Sequence, residues 1–276
     1  MIPTKISFIG GGNMAAALIA GLVKQGLSPS NILVAESSDA RRNELVKQFA
    51  VQTTAHNSDA VQYADLVVLA VKPQIIPVVC SELSASLPKK SPVIVSIAAG
   101  IPTSLLTQLL GEHVPVVRTM PNTPTEIGCG ATGLYAIDSV SSAQKKSAEA
   151  IMNSVGITVW VDDEALMDAI TAVSGSGPAY FFQVIEAMEK AAVELGLSAE
   201  IARSLTLQTA YGATKMALES SESAATLKQR VTSPGGTTAA ALNVLNNGNI
   251  NNLFQQALTA AQHRAKELAE VTGEKH

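Results

Sequence analysis

The sequence has little charge, few aromatic side chains and little cysteine. Charged residues make up 15% of its 276 residues and aromatic residues 4%, whereas an average soluble protein has roughly 25% charged residues. Hydrophobic residues nevertheless reach 47%, so the chain is too apolar for intrinsic disorder, which requires low hydrophobicity and high net charge. Most of the apolar side chains are small, which predicts a large core or a buried subunit interface.

Long hydrophobic runs are also missing. The most apolar stretches, 14–23 and 66–71, are far shorter than the roughly 20 residues that a membrane-spanning helix needs, so no membrane segment is expected. An apolar stretch after Lys5 resembles a secretory signal, but the glycines at 10–12 interrupt it. We therefore expect no targeting segment and a cytoplasmic location.

A strong charge imbalance is absent as well. The net charge is -4 and no basic run of five residues occurs, so neither nucleic acid nor an anionic membrane surface is an expected partner. The two cysteines, Cys80 and Cys129, form no C-x-x-C pair, which argues against a disulfide framework and a zinc site. We interpret both as small buried hydrophobic residues in a reducing cytosol, and we expect no metal.

The first 163 residues alternate short β-branched runs with helical segments. Because the runs are continuously apolar, they predict strands buried on both faces, and their alternation with helices predicts right-handed β-α-β units. The predicted strands are 5–9, 32–35, 66–71, 93–97, 114–118, 132–135 and 157–161. The expected fold class is α/β, with a doubly wound, mainly parallel sheet.

Residues 164–276 lack such strand-like runs and are rich in Ala, Leu, Glu and Lys, which predicts an all-α domain. Pro178 begins a helical pattern that Gly196 ends, and Ser198 is expected to cap a second helix to about Glu219. Further helices are predicted at 224–231, after the turn at 234–236, and at 250–271.

The first predicted strand ends in a glycine turn with the G-x-G-x-x-A pattern of a dinucleotide fingerprint. Glycine permits a tight turn there and lets backbone N–H groups approach a pyrophosphate at a helix N-terminus. The residues expected to hold the pyrophosphate are Gly10, Gly12, Asn13, Met14 and Ala15. Residues 1–163 are therefore expected to form a Rossmann-type dinucleotide-binding domain.

The second predicted strand ends at Glu36. An acidic residue there commonly accepts hydrogen bonds from the ribose hydroxyls of NAD and repels the extra phosphate of NADP. Ser37, Ser38, Arg41 and Arg42 follow and can instead hold that phosphate. These residues leave the choice between NADH and NADPH open.

Three loops that follow later strands, and two segments between helices, carry groups suited to binding a ligand. The loops 70–73, 96–100 and 118–124 follow later strands, and the small residues of 96–100 let a nicotinamide or ribose lie close. The segments 174–180 and 231–238, between helices, offer N–H groups and hydroxyls suited to a carboxylate.

No histidine falls in the glycine-rich segments. Because an imine needs a weaker proton donor than a ketone, these residues favour hydride delivery to C=N.

Six motifs resemble, in order and spacing, those of the pyrroline-5-carboxylate reductase family. They lie at 10–15, 70–73, 96–100, 120–124, 174–180 and 232–238, and the resemblance covers essentially the whole chain. It implies NADPH- or NADH-dependent reduction of Δ1-pyrroline-5-carboxylate to L-proline, the last step of proline biosynthesis. It also implies an N-terminal Rossmann domain (1–163), a C-terminal helical dimerisation domain (164–276), a substrate site at the dimer interface, and dimers that assemble further into a decamer.

The resemblance also implies roles for individual residues. The glycine turn would hold the pyrophosphate, and Thr238 would act catalytically by hydrogen bonding to the ring nitrogen, while its neighbours hold the substrate carboxylate. The remaining cofactor-binding residues would be Glu36, Ser37, Asn57, Ala70, Val71, Lys72, Pro73, Ala98, Ala99 and Gly100. The substrate-binding residues would be Ser174, Ser176, Gly177, Ser233, Gly236, Thr237 and Thr238. The family more often prefers NADPH, with small polar residues after the second strand, and Glu36 departs from that pattern.

Two other interpretations stay open at the level of sequence. A β-hydroxyacid dehydrogenase shares the plan of a Rossmann domain followed by helices and uses a helix lysine as its acid–base group, for which Lys215 is the candidate. As an alternative, Lys215 is an ordinary exposed lysine. A nucleotide-binding regulator without catalysis is the second interpretation, but it has no need of a carboxylate-binding loop at 232–238.

Overall fold

The computed structural model describes the backbone of residues 5–274 and the side chains of residues 5–269. The strands are β1 (Ile6–Ile9), β2 (Ile32–Ala35), β3 (Gln52–Thr54), β4 (Leu66–Leu69), β5 (Val93–Ser96), β6 (Val116–Met120), β7 (Gly130–Ala136) and β8 (Gly156–Trp160). The helices are α1 (Asn13–Lys24), α2 (Asp39–Phe49), α3 (Asn57–Tyr63), α4 (Ile76–Ser84), α5 (Thr103–Leu110), α6 (Ser142–Asn153), α7 (Leu166–Ile170), α8 (Gly177–Glu194), α9 (Ala199–Glu219), α10 (Ala224–Arg230), α11 (Thr237–Asn247) and α12 (Ile250–Glu274).

All eight strands form one sheet in the order β3-β2-β1-β4-β5-β6-β7-β8. Neighbouring strands are parallel except β6 and β7, which run antiparallel. The chain builds the sheet outward from β1 in one direction and then from β4 in the other, so the strand order reverses between these two strands. The predicted α/β fold, a doubly wound and mainly parallel sheet followed by helices, is confirmed.

The sequence predicts every strand except β3. This short strand at the edge of the sheet has three polar residues, Gln52, Thr53 and Thr54. Gln52 is exposed and the two threonines are only partly buried. Nothing in its composition distinguishes it from a loop, whereas strands in the middle of the sheet are buried along their whole length. The prediction thus misses a strand that is held by pairing with β2 rather than by burial of its side chains.

Both faces of the sheet are covered. Successive residues of one strand enter different hydrophobic clusters: Val68 packs in one cluster and Val67 in the other. Since side chains alternate between the two faces of a strand, the clusters lie on opposite faces. This double burial explains why the strands are continuously apolar in sequence, and it holds the carboxyl ends of the parallel strands in a fixed row.

The helices in the second half of the chain begin and end close to where the sequence predicts. Pro178 is the second residue of α8, where its missing N–H costs no helix hydrogen bond. The hydroxyl of Ser198 accepts a hydrogen bond from the N–H of Ile201, so this serine caps α9 as expected. In the described part of the chain, no helix is both long and apolar enough to cross a membrane.

The segment 174–180 differs from the expected connector. Here α7 is followed by a π-helical turn, Thr171–Gly175, and α8 begins at Gly177. The N–H of Ser176 donates to the carbonyl of Thr171 at 2.8 Å, five residues earlier. The interpretation as a loop between two helices is therefore wrong, because the segment belongs to a π-helical turn, a feature that is frequent at functional sites, and to the first turn of α8.

The chain divides into two compact units. Residues up to Ser176, together with those from Ala260 on, form the first unit, which contains the sheet, and Gly177–Thr259 form the second, which is helical. The second unit exposes several large apolar side chains, among them Phe181, Phe182 and Leu218. A domain boundary between residues 163 and 164 stays a prediction.

Candidate active site

The glycine turn after β1 combines a backbone conformation that requires glycine with open space before α1. Gly10 has φ +94°, and a Cβ on it would lie 2.8 Å from the carbonyl oxygen of Ala70, so only glycine fits. A Cβ on Gly12 would meet nothing within 4 Å, which marks open space before α1. Gly12 is the N-cap residue of α1, and as a glycine it has no side chain that could hydrogen bond to the first turn of the helix. The N–H groups of the first turn are therefore available to an anion such as a pyrophosphate.

The sheet brings the predicted cofactor residues to one edge. The strands β2, β1, β4 and β5 are parallel neighbours, so the segments that follow their carboxyl ends lie side by side. These segments begin with Glu36, Gly10, Ala70 and Ile97. The N–H of Ala70 donates to the carbonyl of Ile9 at 2.8 Å, which ties two of them together. This is the edge at which ligands of doubly wound sheets bind.

Glu36 connects the glycine turn to the loop after β2. Its Oε2 accepts a hydrogen bond from the N–H of Gly11 at 2.9 Å, and its Oε1 accepts one from the N–H of Ser38 at 3.0 Å. Partial burial acts to raise the pKa of Glu36, but the hydrogen bonds from Ser38, Gly11 and Ser37 together bring this pKa below its ordinary value. Glu36 therefore places a fixed negative charge where the cofactor ribose is expected.

The two arginines after β2 are already bound to protein acceptors. The Nε of Arg41 donates to the carbonyl of Gly11 at 2.6 Å. Arg42 donates to the carbonyls of Glu36 and Ser37 at 2.5 and 3.0 Å. Each guanidinium also pairs with a carboxylate of its own helix. A phosphate on the ribose would have to compete with these partners for both arginines.

The other expected cofactor residues have different surroundings. Ala98 is buried, and Gly100 adopts φ +70° in the loop between β5 and α5. Lys72 is exposed after β4. Asn57 begins α3, and its side-chain amide donates to Glu82 at 3.1 Å. The loop after β5 thus combines a buried residue, Ala98, with an exposed one, Ala99, whereas Asn57 would have to exchange a protein partner for the cofactor.

Asn122 connects the π-helical turn to strand β7 by hydrogen bonds, a role that was not predicted from the sequence. The side-chain amide of Asn122 donates to the carbonyl of Ser174 at 3.1 Å, and its Oδ1 accepts from the N–H of Ala131 at 2.9 Å. The hydroxyl of Ser174 donates to the carbonyl of Ala131 at 2.8 Å. In the sequence, the only indication that Asn122 is structurally important is its position in the loop motif at 118–124. In this structure, Ser174 holds the turn in place through its hydroxyl.

In the second unit, the segment before α11 leaves a helix N-terminus accessible. The N–H of Gly236 donates to the carbonyl of Ser233 at 3.0 Å, and Gly235 adopts φ +70°, so the chain turns tightly here. Gly236 caps α11 without any side-chain hydrogen bond. The helix then begins with Thr237 and Thr238, two residues with hydroxyl side chains. Such an arrangement suits a carboxylate.

Other chemistry finds less support in the structure. The Nζ of Lys215 lies 3.8 Å from the carboxylate of Glu219, and the lysine side chain is 53% exposed, as expected for a lysine on a solvated helix face. Among the residues that the structure describes, no group of three or more His, Cys, Asp or Glu side chains is placed to hold a metal ion.

Comparison with known proteins identifies the family. A family model described as pyrroline-5-carboxylate reductase dimerisation matches residues 164–268. A protein of Pseudomonas aeruginosa named pyrroline-5-carboxylate reductase is 50% identical over 274 residues, which cover 99% of this chain and 100% of that protein. The chain belongs to the pyrroline-5-carboxylate reductase family. The resemblance drawn from its sequence motifs is thereby confirmed.

Solved structures of pyrroline-5-carboxylate reductases share this fold. The structure from Coxiella burnetii is 47% identical, has a TM-score of 0.93, and covers 96% of this chain and 98% of that one. The Plasmodium falciparum structure, described with NADP bound, is 31% identical with a TM-score of 0.85 and covers 96% of this chain and 98% of that one. A second family model, described as NADP oxidoreductase coenzyme F420-dependent, matches residues 5–100. The roles that membership in the pyrroline-5-carboxylate reductase family implies for individual residues stay predictions for this chain.

Proposed function

We propose that this protein reduces Δ1-pyrroline-5-carboxylate to L-proline, the last step of proline biosynthesis, with NADPH or NADH as the hydride donor. The observation that carries the proposal is membership in the reductase family over nearly the full length of the chain. The structure adds a sheet edge suited to a dinucleotide and, separately, a helix N-terminus suited to a carboxylate.

The cofactor would lie along the carboxyl ends of the strands. Gly10, Gly12 and the first turn of α1 would bind the pyrophosphate. The open space at Gly12 leaves room for it, and the first N–H groups of α1, which the Gly12 cap leaves without a side-chain acceptor, are the donors. Glu36 would accept the ribose hydroxyls, and the loop at 98–100 would line the nicotinamide. The bound nicotinamide supplies the hydride for the imine carbon.

The substrate would be held by hydroxyls and N–H groups. Ser233, Gly236 and Thr237 would bind the carboxylate, with charge-assisted hydrogen bonds worth about 1.5–3 kcal/mol each. Thr238 would donate its hydroxyl hydrogen bond to the ring nitrogen and so assist protonation there. Ser176 would border the substrate. The main contribution of these residues is orientation, because the cofactor carries the reactive hydride.

The protein is expected to work as a homodimer in the cytoplasm. The helical region matches a dimerisation model, and large side chains such as Phe181, Phe182, Leu218 and Val244 are more than half exposed in the single chain. Exposed apolar surface of this kind marks protein–protein contacts. We further propose that dimers assemble into a decamer, as the family resemblance implies. Sedimentation velocity separates these states, and an active monomer at low concentration would contradict the proposal.

A panel of steady-state assays tests the reaction class. Purified protein is given Δ1-pyrroline-5-carboxylate with NADH or NADPH and, in parallel, 3-hydroxy acids with the oxidised cofactors. We expect turnover only with the cyclic imine. Oxidation of a 3-hydroxy acid would favour the dehydrogenase interpretation, and cofactor binding without turnover of any cyclic imine would favour a regulator.

A further inference from the structure

A buried ion-pair cluster lies outside the residues assigned to the cofactor or the substrate. Arg118, in the middle of β6, is 5% exposed. Its guanidinium lies 2.9 Å from Oε1 of Glu164 and 3.5 Å from Oδ1 of Asp168. Since a buried charge is tolerated only with partners, Arg118 holds the Glu164 carboxylate in one place.

That carboxylate caps a helix that is distant in sequence. Oε1 of Glu164 accepts from the N–H of Thr103 at 2.8 Å, and Oε2 accepts from the Thr103 hydroxyl at 2.5 Å. Thr103 is the first residue of α5, and the capping residue Pro102 has no side-chain group that can accept a hydrogen bond. A negative charge at a helix N-terminus is favourable, so Glu164 supplies the cap that the local sequence lacks.

The cap fixes one end of the loop between β5 and α5. At the other end, the hydroxyl of Ser96 accepts from the N–H of Ala98 at 3.3 Å, and the carbonyl of Ser96 accepts from the Thr119 hydroxyl at 3.0 Å. Within the loop, a Cβ on Gly100 would lie 3.4 Å from the Cβ of Leu268. The loop is short, packed in its middle and hydrogen bonded at both ends, so a shift of Thr103 is transmitted to it.

We propose that Glu164 is a positioning residue, which acts through Thr103 to hold the loop at 97–102 in the conformation that binds the cofactor. The proposal rests on the proposed function, because that function places the nicotinamide against this loop. Glu164 touches neither cofactor nor substrate in this scheme. Its loss is therefore expected to weaken cofactor binding and to leave the chemical step intact.

The test uses four variants and two kinds of measurement. Thr103→Val removes only the hydroxyl that donates to Glu164, Thr103→Ser restores a hydroxyl, and Glu164→Gln removes the charge. Thr107→Val is the control for the same side-chain change in α5, because the Thr107 hydroxyl donates to the carbonyls of Thr103 and Ser104 and makes no hydrogen bond to Glu164. The dissociation constants of NADH and NADPH are measured by equilibrium titration without substrate. Steady-state kinetics then give KM for cofactor, KM for Δ1-pyrroline-5-carboxylate, and kcat at saturating cofactor.

For Thr103→Val we expect the cofactor dissociation constant and KM to rise roughly three- to tenfold, the effect of one lost hydrogen bond. Glu164→Gln should weaken binding at least as much, while kcat and the substrate KM stay at the wild-type values. Thr103→Ser and Thr107→Val should bind cofactor like the wild type.

Three outcomes would overturn the proposal: unchanged cofactor affinity in both Thr103→Val and Glu164→Gln, a fall in kcat alone, or equal weakening by Thr107→Val. A fall in kcat alone would show a loss of folded enzyme rather than a displaced loop. Because binding is measured without substrate, a wild type that binds cofactor but reduces no imine refutes the proposed function and leaves the positioning role supported if the variants bind weakly. A wild type that binds no cofactor counts against both.

Discussion

The negative charge of Glu36 should bias the enzyme against NADPH, and the variant Glu36→Gln tests this. Glutamine keeps the shape of the side chain and removes the charge. Its carbonyl can still accept a hydrogen bond from Gly11 or Ser38, but its amide cannot accept the second one. The variant therefore loses one hydrogen bond with either cofactor, whereas the loss of charge affects only a cofactor with a phosphate on the ribose.

The size of the effect follows from Coulomb's law and the position of Glu36. Two unit charges 4 Å apart interact by about 4 kcal/mol at an effective dielectric constant of about 20, and by about 1 kcal/mol in water. Glu36 is only partly buried, so solvent screens the pair and the lower half of that range applies. We expect about 1–2 kcal/mol, a five- to thirtyfold rise in the preference for NADPH over NADH.

The assay compares kcat/KM for NADPH and NADH in the wild type and in Glu36→Gln. The ratio cancels the lost hydrogen bond and any change in the amount of active enzyme. Glu112→Gln is the control, because it removes one negative charge from an exposed position in the segment before β6, at the amino end of a strand. An unchanged ratio in Glu36→Gln, or an equal change in Glu112→Gln, would refute the assignment of Glu36 to the ribose.

Three further predictions concern stability and catalysis. Thr238→Ala should lower kcat/KM roughly tenfold to a thousandfold, about 1.4–4 kcal/mol in the barrier, and unchanged kinetics would remove Thr238 from the mechanism. Gly10→Ala should lower the free energy of unfolding by about 1–3 kcal/mol and abolish cofactor binding, since its Cβ would lie 2.8 Å from a carbonyl oxygen at φ +94°; chemical denaturation and a cofactor titration check this. Of the two cysteines expected to be buried, Cys80 is buried, whereas Cys129 is exposed. Burial raises the pKa of the Cys80 thiol to about 12, so in a Cys129→Ser variant a thiol reagent at pH 8 should react only after unfolding. Rapid reaction of that native variant would contradict the burial.

Stability at low pH gives a separate measure of Glu36. Its pKa is lower in the folded protein than its ordinary value, so its hydrogen bonds stabilise the fold fully above the ordinary glutamate pKa. This stabilisation is lost as the pH falls through the folded-state pKa. In chemical denaturation, the difference in unfolding free energy between the wild type and Glu36→Gln should therefore shrink below about pH 4. A constant difference would contradict the prediction.

The parts of this protein that are predictable from sequence are those that depend on local chemistry. The buried strands are continuously apolar, the turn at Gly10 needs glycine because of its positive φ, and Ser198 caps the helix that follows it. In each case the residue type is dictated by its own backbone or by its immediate neighbours. The edge strand β3, with the sequence Gln-Thr-Thr, has no such signal.

The parts that escape prediction depend on partners far away in the chain. Asn122 connects Ala131 with Ser174, and Glu164 caps a helix that begins 61 residues earlier. The π-helical turn contains the same glycine and serine residues that a loop would contain. The spacing of residues in the sequence does not indicate these contacts, because each forms only when the sheet brings separate segments together.

The reaction proposed for this protein is the delivery of a hydride from a nicotinamide to the imine carbon of Δ1-pyrroline-5-carboxylate. Reduction with a cofactor that carries deuterium at the transferable position of the nicotinamide, followed by mass spectrometry and NMR of the product, tests it most directly. We expect L-proline with deuterium at the former imine carbon, formed in a one-to-one ratio with oxidised cofactor. Cofactor oxidation without labelled proline, or no oxidation despite cofactor binding, would contradict it.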